Sequence, residues 1–534
     1  MAVSPDGKKV AGSGYMRNVL VWDLESGQLE SQMAGHEQGI LDLDFHPTKP
    51  LIATASHDET IRVWDYEKKK EIQKLEGQGI SIGCVKFSPD GAYLASGGWD
   101  WSVWIWKTDD WSIDKKLEGH VNVVKSVDWS ADGKYLVTGA GNNSVAEADN
   151  SIIYWNTQTA QIHCQIKDHD AEIIKVLYDR KADRVFSASM DGTVKLTDPE
   201  NCEVVATYLS TGGKEFMIYT PDNYYMASKE ALKGIAFRID NHLVPFEQFD
   251  IYLNRPDIVA KRIGKSPEQL IKAYNYIYKK RLRKLNIDEG SLNIDYHLPK
   301  IVNETNVDLV TTGESVSLWV KAWDERYNIK QFNVYVNDVP IFGEKGFRPK
   351  DKVKSYRKQF EIPLLPGVNK VQLSCLNSNG AESLYETIEI VRDSDPGKHN
   401  LYIAGIGVSN YQDDRFKLKY PTKDAKDVVD KLKESSHLYN EIHTKLLLDE
   451  DVTVAGFKSL VDFFAGCTHE DIAIIFIAGH GVLNVNFDYF YGTYDMDFNS
   501  PESKGLAYDD IHALLNSLKA YRKLLIMDTC DSGE

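Results

Sequence analysis

The alternation of apolar and polar positions changes character several times along the chain. Through residues 1 to about 210, short runs of small and apolar residues, such as Tyr93-Leu94-Ala95-Ser96, are cut by turns of the Pro-Asp-Gly type. Such runs predict strand–turn–strand units and not helices. Between Asn254 and Asn286 the period lengthens. Leu270, Ile271, Tyr274, Ile277, Tyr278, Leu282 and Leu285 recur at steps of three and four, which predicts an amphipathic helix. Ser266-Pro267-Glu268-Gln269 opens it, with Ser as cap, Pro in the first turn and Gln269 three residues after the cap.

From 295 to 392 alternation returns. Ser315 to Val320, Phe332 to Val336, Lys354 to Ile362, Asn369 to Cys375 and Glu386 to Val391 predict strands, with a hairpin turn at Asn337-Asp338. About seven short strands in about a hundred residues predict an immunoglobulin-like β-sandwich. The polar stretch Arg392 to Lys398 follows as a linker. Strands and helices then alternate. Leu401 to Ile406, Ile442 to Leu448, Ile472 to Ile477 and Lys523 to Met527 predict strands; Asp424 to Glu434, Thr453 to Phe464 and Tyr508 to Leu518 predict helices. That order implies a mostly parallel sheet with helices on both faces and a ligand site beyond the carboxyl ends of its strands.

The first region is repetitive. Ser4-Pro5-Asp6-Gly7 recurs as Ser88-Pro89-Asp90-Gly91 and as Ser130-Ala131-Asp132-Gly133, with His46-Pro47 between the first two, at a step of 42 residues. A second marker keeps the register: Trp22-Asp23, Trp64-Asp65, Trp106-Lys107, Trp155-Asn156 and Thr197-Asp198, at steps of 42, 42, 49 and 42. The longer step holds a polar insert, Gly141 to Asp149, read as a loop. A period of about 40–45 residues with four short strands per unit is the signature of a β-propeller. The units resemble WD repeats: Gly35-His36, Gly119-His120 and Asp168-His169 match that family's Gly-His position, and Trp22-Asp23 and Trp64-Asp65 its namesake dipeptide. The resemblance implies that these His, Asp and Trp residues form buried hydrogen-bond networks and are not metal ligands. A decayed sixth unit is expected from Phe216 to Ile239, with Thr220-Pro221-Asp222 in place of Ser-Pro-Asp.

Composition narrows the function. The 534 residues carry 62 Lys plus Arg against 79 Asp plus Glu, a formal net charge of −17. That balance argues against a general nucleic-acid binder. The basic cluster Lys279-Lys280-Arg281-Leu282-Arg283-Lys284 is accordingly read as a solvated helix end suited to the C-terminal dipole, in preference to a nuclear or RNA-binding signal. A hydrophobic fraction of 42% and a charged fraction of 26% are globular values. The longest uncharged apolar run, Ile472 to Ala478, is too short to span a bilayer, and the start MAVSPDGKKV lacks the apolar core of a secretory signal. Cysteines at 84, 164, 202, 375, 467 and 530 show no paired spacing and are read as reduced thiols. The expectation is a soluble cytoplasmic protein with no membrane partner.

The last region carries candidate chemistry. One predicted strand runs into Ala478-Gly479-His480-Gly481 and another into Asp528-Thr529-Cys530-Asp531-Ser532-Gly533. Parallel neighbours would present His480 and Cys530 at one edge, 50 residues apart in sequence. A histidine about 50 residues before the nucleophilic cysteine is also the order and spacing found in caspases. An unperturbed thiol titrates near 8.5, so a nucleophilic cysteine needs an imidazole beside it at neutral pH. The N–H groups of Gly481 and Cys530 are candidates for stabilising a tetrahedral oxyanion.

These motifs, in this order and at this spacing, resemble the caspase-like cysteine peptidases, especially metacaspases and paracaspases. The resemblance covers about Asn400 to Glu534 and implies a Cys–His dyad, with His480 as general base and acid and Cys530 as nucleophile. It also implies that Asp528, two residues before the nucleophile, and Asp424, in an Asp-Ala pair at the start of the first helix, line a pocket for Arg or Lys on the acyl side of the cut. No Arg, as in caspases that cut after Asp, stands near the second position.

The sequence thus predicts a multidomain chain: an all-β WD-repeat propeller of about six blades over 1–250, a helical connector over 251–294, an immunoglobulin-like β-sandwich over 295–392, and a C-terminally truncated α/β caspase-like peptidase domain over 399–534. The expected function is a cysteine endopeptidase acting on protein or peptide substrates, without cofactor or metal, whose propeller recognises a protein partner. The domain combination resembles bacterial stress, defence or cell-death proteins, and the chain reads as a fragment of a longer one. The rival reading is a WD-repeat scaffold with an inactive peptidase-like domain.

Overall fold

The computed structural model describes every residue except 16, 143–148, 240, 294, 344 and 531–534. Most of the polar insert and Asp531, Ser532 and Gly533 of the C-terminal motif therefore lie outside the described residues. The chain divides into two compact units, Met1–Ile235 with Leu253–Ile271 and Ala236–Tyr252 with Lys272–Glu534. No described helix is long and apolar enough to cross a membrane.

In the first unit each sequence period is one antiparallel sheet. Four sheets of four strands occupy residues 2–34, 40–75, 82–117 and 124–166. Their register places the Trp strand third, so that Trp64 and Trp155 pack fully buried between neighbouring strands. Buried Asp carboxylates stitch successive sheets together: Asp44 accepts from the Phe87 N–H at 2.9 Å, and Asp128 from the Tyr178 N–H at 2.8 Å. Within the second sheet His36 bonds Asp58 at 2.7 Å and Thr54 at 2.7 Å, while the Trp64 indole N–H donates to Thr54 at 2.8 Å. His120, Asp149, Thr138 and Trp155 repeat this arrangement. In the third sheet Gln78 stands in the histidine's place, accepting from Ser96 at 2.9 Å.

Two expectations need correction here. The expected sixth unit forms no four-stranded sheet: Glu215–Tyr219 and Tyr225–Ala227 extend the fifth sheet to six strands, and Ala236–Ile239 pairs with His242–Pro245 in a separate two-stranded sheet. The Thr220 turn nevertheless behaves like its relatives, donating to Asp222 at 2.6 Å as Ser4 does to Asp6. The six cysteines are not all free thiols. Cys164, on the outer strand of the fourth sheet, is joined by a disulfide to Cys202 in a turn of the fifth, because the two sheets lie side by side there.

The predicted amphipathic helix runs over Glu268–Leu285, and the unit boundary falls within it, after Ile271. In the second unit, a three-stranded and a five-stranded sheet face each other across Leu318, Val320, Phe332, Val334, Phe360 and Leu373. Asn337 and Asp338 both adopt positive φ, 51° and 65°, as a two-residue hairpin turn requires.

The last region is a parallel sheet of β1 (Leu401–Gly407), β2 (Ile442–Leu448), β3 (Ile472–Gly479) and a strand ending the described chain, Arg522–Thr529. A small antiparallel sheet lies between them in sequence: β4 (Gly481–Leu483), β5 (Tyr489–Tyr491) and β6 (Leu506–Ala507). With Arg522–Thr529 as β7, the parallel order is β2-β1-β3-β7. Helix α1 (Pro421–Glu434) packs Ala425 and Val429 on one face, against Ala478, Phe476 and Ile474. The other face, with Ala473, Ile475 and Ile477, is covered by Phe457, Leu460 and helix α2 (Tyr508–Ser517), through Ile511 and Leu514. Parity puts Leu525 and Met527 of β7 into that second core, and leaves Leu524 and Ile526 49% and 37% exposed on the α1 face.

Candidate active site

The carboxyl edge of the parallel sheet collects the residues singled out above. β3 and β7 pair in register, Ala478 with Asp528 and Gly479 with Thr529, so His480 and Cys530 are the next residues off the two strand ends. The backbones meet closely beyond that pair. A Cβ built on Gly481 would lie 2.1 Å from the Cys530 carbonyl oxygen and 2.6 Å from the Tyr489 ring. Only a residue without a side chain fits there. Gly479 adopts φ +152°, and a Cβ on it would lie 2.9 Å from the Tyr411 hydroxyl.

His480 is held on three sides. Its N–H donates to the Tyr411 hydroxyl at 2.9 Å, and its carbonyl accepts from the Gly492 N–H at 2.8 Å. Its ring sits against Tyr411, Phe416 and Phe498, with centroids 5.2, 6.0 and 5.5 Å away. Nε2 lies 2.9 Å from the Phe416 carbonyl oxygen. A carbonyl only accepts, so this bond assigns the proton to Nε2 and leaves Nδ1 as the unprotonated nitrogen of the neutral ring. Burial pushes the Tyr411 phenol up, so it stays protonated. Among the described residues neither ring nitrogen is hydrogen-bonded to the Cys530 thiol. The two candidate residues therefore follow paired strand ends, without a direct side-chain bond.

Cys530 differs from the other free thiols in access. It is exposed, whereas Cys84, Cys375 and Cys467 are buried. Burial pushes the last two thiols up to about 12 and about 11, which makes them inert as nucleophiles. Tyr489 braces the rim from below: its hydroxyl and the Thr529 hydroxyl are 2.7 Å apart.

The two acidic candidates sit on one side of the sheet. Asp528 pairs with Ala478, so it points to the face that carries α1, and it is exposed. Asp424 is half-buried in the first turn of α1, one turn before Val428, which packs against the Ala425, Phe476 and Ala478 cluster. Asp424 is not the helix cap: its own N–H donates to the Tyr420 carbonyl, already inside the turn. Among the described residues neither carboxylate is held in an ion pair. Sequence reasoning missed Phe416, whose contribution is a backbone carbonyl, and Tyr411 and Tyr489, whose roles depend on contacts 69 and 40 residues away.

A parallel sheet with helices on both faces, carrying an exposed cysteine and a histidine at one strand edge, defines a candidate thiol hydrolase of α/β class. Comparison with known proteins sharpens this. Residues 405–534 match the Caspase domain family, and residues 27–65, 69–107 and 111–156 match the WD domain, G-beta repeat family. The chain is thus a fusion of WD repeats with a caspase-like domain. A stretch of 56 residues is 41% identical to the U5 small nuclear ribonucleoprotein 40 kDa proteins of Homo sapiens and Bos taurus, and one of 56 residues is 34% identical to that of Dictyostelium discoideum. Those stretches cover 10% of this chain and 16% of each relative.

Proposed function

We propose that this chain is a cysteine endopeptidase that cuts after Arg or Lys, with Cys530 as nucleophile and His480 as general base and acid. The observation that carries this reading is the in-register pairing of β3 with β7, followed by the close contact of Gly481 with the Cys530 carbonyl. In the reaction, Nδ1 of His480 takes the Cys530 proton, and the thiolate attacks the scissile carbonyl carbon. The oxyanion that forms meets the N–H groups of Gly481 and Cys530. The imidazolium then protonates the leaving amine, and water hydrolyses the thioester. The Phe416 carbonyl keeps the imidazole in the required tautomer throughout, as a carboxylate does in other triads.

Asp528 and Asp424 present two carboxylates on the α1 face, neither in an ion pair among the described residues, and a guanidinium or ammonium is the partner that such a pair selects. The WD repeats serve as the recognition module for a protein partner. A peptide series tests the reading. Wild type is expected to hydrolyse a peptide with Arg or Lys before the cut, and Cys530→Ala to lose about a thousand-fold or more of that rate. Asp528→Ala is expected to lose about 10–100-fold in kcat/KM for the Arg peptide, the worth of a charge-assisted bond, with alkylation of Cys530 unchanged. Turnover that survives Cys530→Ala refutes the peptidase. A folded wild type that cuts nothing leaves the repeats as a scaffold.

A further inference from the structure

The basic cluster at the end of the connector helix (Glu268–Leu285) is solvated at Lys279, Arg283 and Lys284, as expected, but Lys280 is half-buried and engaged. Tyr276, Lys280 and Lys284 lie at i, i+4 and i+8, on one face of the helix. The Tyr276 hydroxyl donates to Asp488 at 2.9 Å. The Lys280 ammonium reaches Asp488 at 2.7 Å and Asp509 at 2.9 Å, and Lys284 reaches Asp509 at 2.9 Å. The acidic partners sit at strategic places. Asp488 closes the β4–β5 turn, where the Asn484 side chain accepts its N–H, and Asp509 lies in the first turn of α2. β5 pairs with β6 so that Phe490 faces Ala507. Asp488 immediately precedes β5 and Asp509 lies in α2 just after β6, and the Lys280 ammonium reaches both. Lys280 thus bridges two carboxylates that would otherwise have only each other's like charge nearby on this side. Burial works against its charge, yet bonds to Asp488 and Asp509 hold its pKa above the ordinary lysine value.

Apolar packing at this contact is incomplete. A cavity of about 450 Å³, lined by Tyr276, Lys280, Tyr489, Tyr508 and Met527 among others, lies between the helix and the small sheet. The contacts across this gap are the Lys280 and Lys284 ion pairs and the Tyr276 hydrogen bond. The next residue after Asp488 is Tyr489, whose ring touches the space over Gly481 and whose hydroxyl meets Thr529, the neighbour of Cys530. The path from Lys280 to the candidate nucleophile thus runs through Asp488, Tyr489 and then Gly481 or Thr529.

We propose that the connector helix is a clasp that sets the geometry of the Cys530 rim, with Lys280 as a positioning residue acting through Asp488 and Tyr489. Its meaning as regulation rests on the peptidase reading above; the mechanical coupling does not. The chain passes from the repeat-bearing unit into this helix after Ile271, so the helix is one covalent link between that unit and the site-bearing one.

The test uses the whole chain and two readouts that need no peptide cleavage: peptide-resolved hydrogen exchange, and the rate of iodoacetamide modification of Cys530. In Lys280→Ala, residues 481–491 are expected to exchange at least tenfold faster and Cys530 modification to change at least threefold. Lys280→Arg, which keeps the charge, is expected to restore both to within twofold of wild type. Wild-type values in Lys280→Ala overturn the clasp. So does equal acceleration of exchange in the sandwich strand Ser315–Trp323, which would mark general loosening. Peptide hydrolysis is measured in parallel: a wild type that cuts nothing removes the peptidase reading without touching this result, and an unchanged rim in an active enzyme removes the clasp alone.

Discussion

Gly481 occupies the tightest place at the candidate site. An added methyl would meet a backbone oxygen 2.1 Å away, and backbone gives way less easily than a side-chain tip. Gly481→Ala is expected to cost about 1–3 kcal/mol of stability and about a hundredfold in kcat/KM, the effect of a displacement near 1 Å at a reacting group. Chemical denaturation and peptide kinetics check the two numbers; an alanine variant with wild-type kcat/KM would contradict this account of the rim. At this scale the sequence was legible where chemistry resides in residue type. His480, Gly481 and Cys530 stand out because small residues and reactive ones end predicted strands. The Phe416 carbonyl was not legible, since any residue supplies one. Lys280 was visible as a charge, but a lysine near a helix end is equally compatible with water, and only its seat between Asp488 and Asp509 distinguishes the two.

At the scale of elements, the repeats owe their regularity to a buried polar network, and that network titrates. Burial raises the Asp58 carboxyl, but bonds from Thr60, the Glu37 N–H and His36 outweigh it and bring it to about 2. Burial also opposes the charge on Asp149 and Asp191, and their hydrogen bonds bring each to about 2. The ordinary value is 3.8, so between the two the unfolded chain binds more protons than the folded one. The stability these groups contribute is present above about pH 4 and is lost as pH falls toward 2. His36 acts in the same direction: burial holds its pKa below the ordinary 6.5, so acidification below that value favours the unfolded chain. The urea midpoint of the first unit is expected to be level from pH 7 to 8, to decline below about pH 6.5, and to fall most steeply below pH 4. A midpoint that rises on acidification would contradict the network. The strong 42-residue period made these sheets readable, and the alternating and β–α–β stretches did the same for the sandwich and the parallel sheet. What escaped is short or supplied by partners. β4, β5 and β6 span three, three and two residues, too few for a period to register. The expected sixth unit failed because its first two strands found hydrogen-bond partners on the edge of the fifth sheet.

For the whole molecule, sequence alone predicted the order of modules, because each has its own periodicity, but it did not predict the links between distant residues. The Cys164–Cys202 disulfide closes a separation of 38 residues between two sheets, and no spacing rule in the sequence pairs those two cysteines. The seating of the connector helix on Asp488 and Asp509 is of the same kind, spanning more than 200 residues of sequence. Both arise from tertiary placement, which periodicity does not encode. The module that would do chemistry depends on a single relation across 50 residues, an imidazole serving a thiol at one sheet edge. The most direct measurement is the rate at which iodoacetamide modifies Cys530 at neutral pH in wild type and in His480→Ala, with exchange in β1 and β3 as the control for an intact sheet. The account predicts a loss of about tenfold or more in His480→Ala, because only the thiolate reacts and the imidazole is what generates it. Equal rates in the two proteins, with the sheet intact in both, would contradict it.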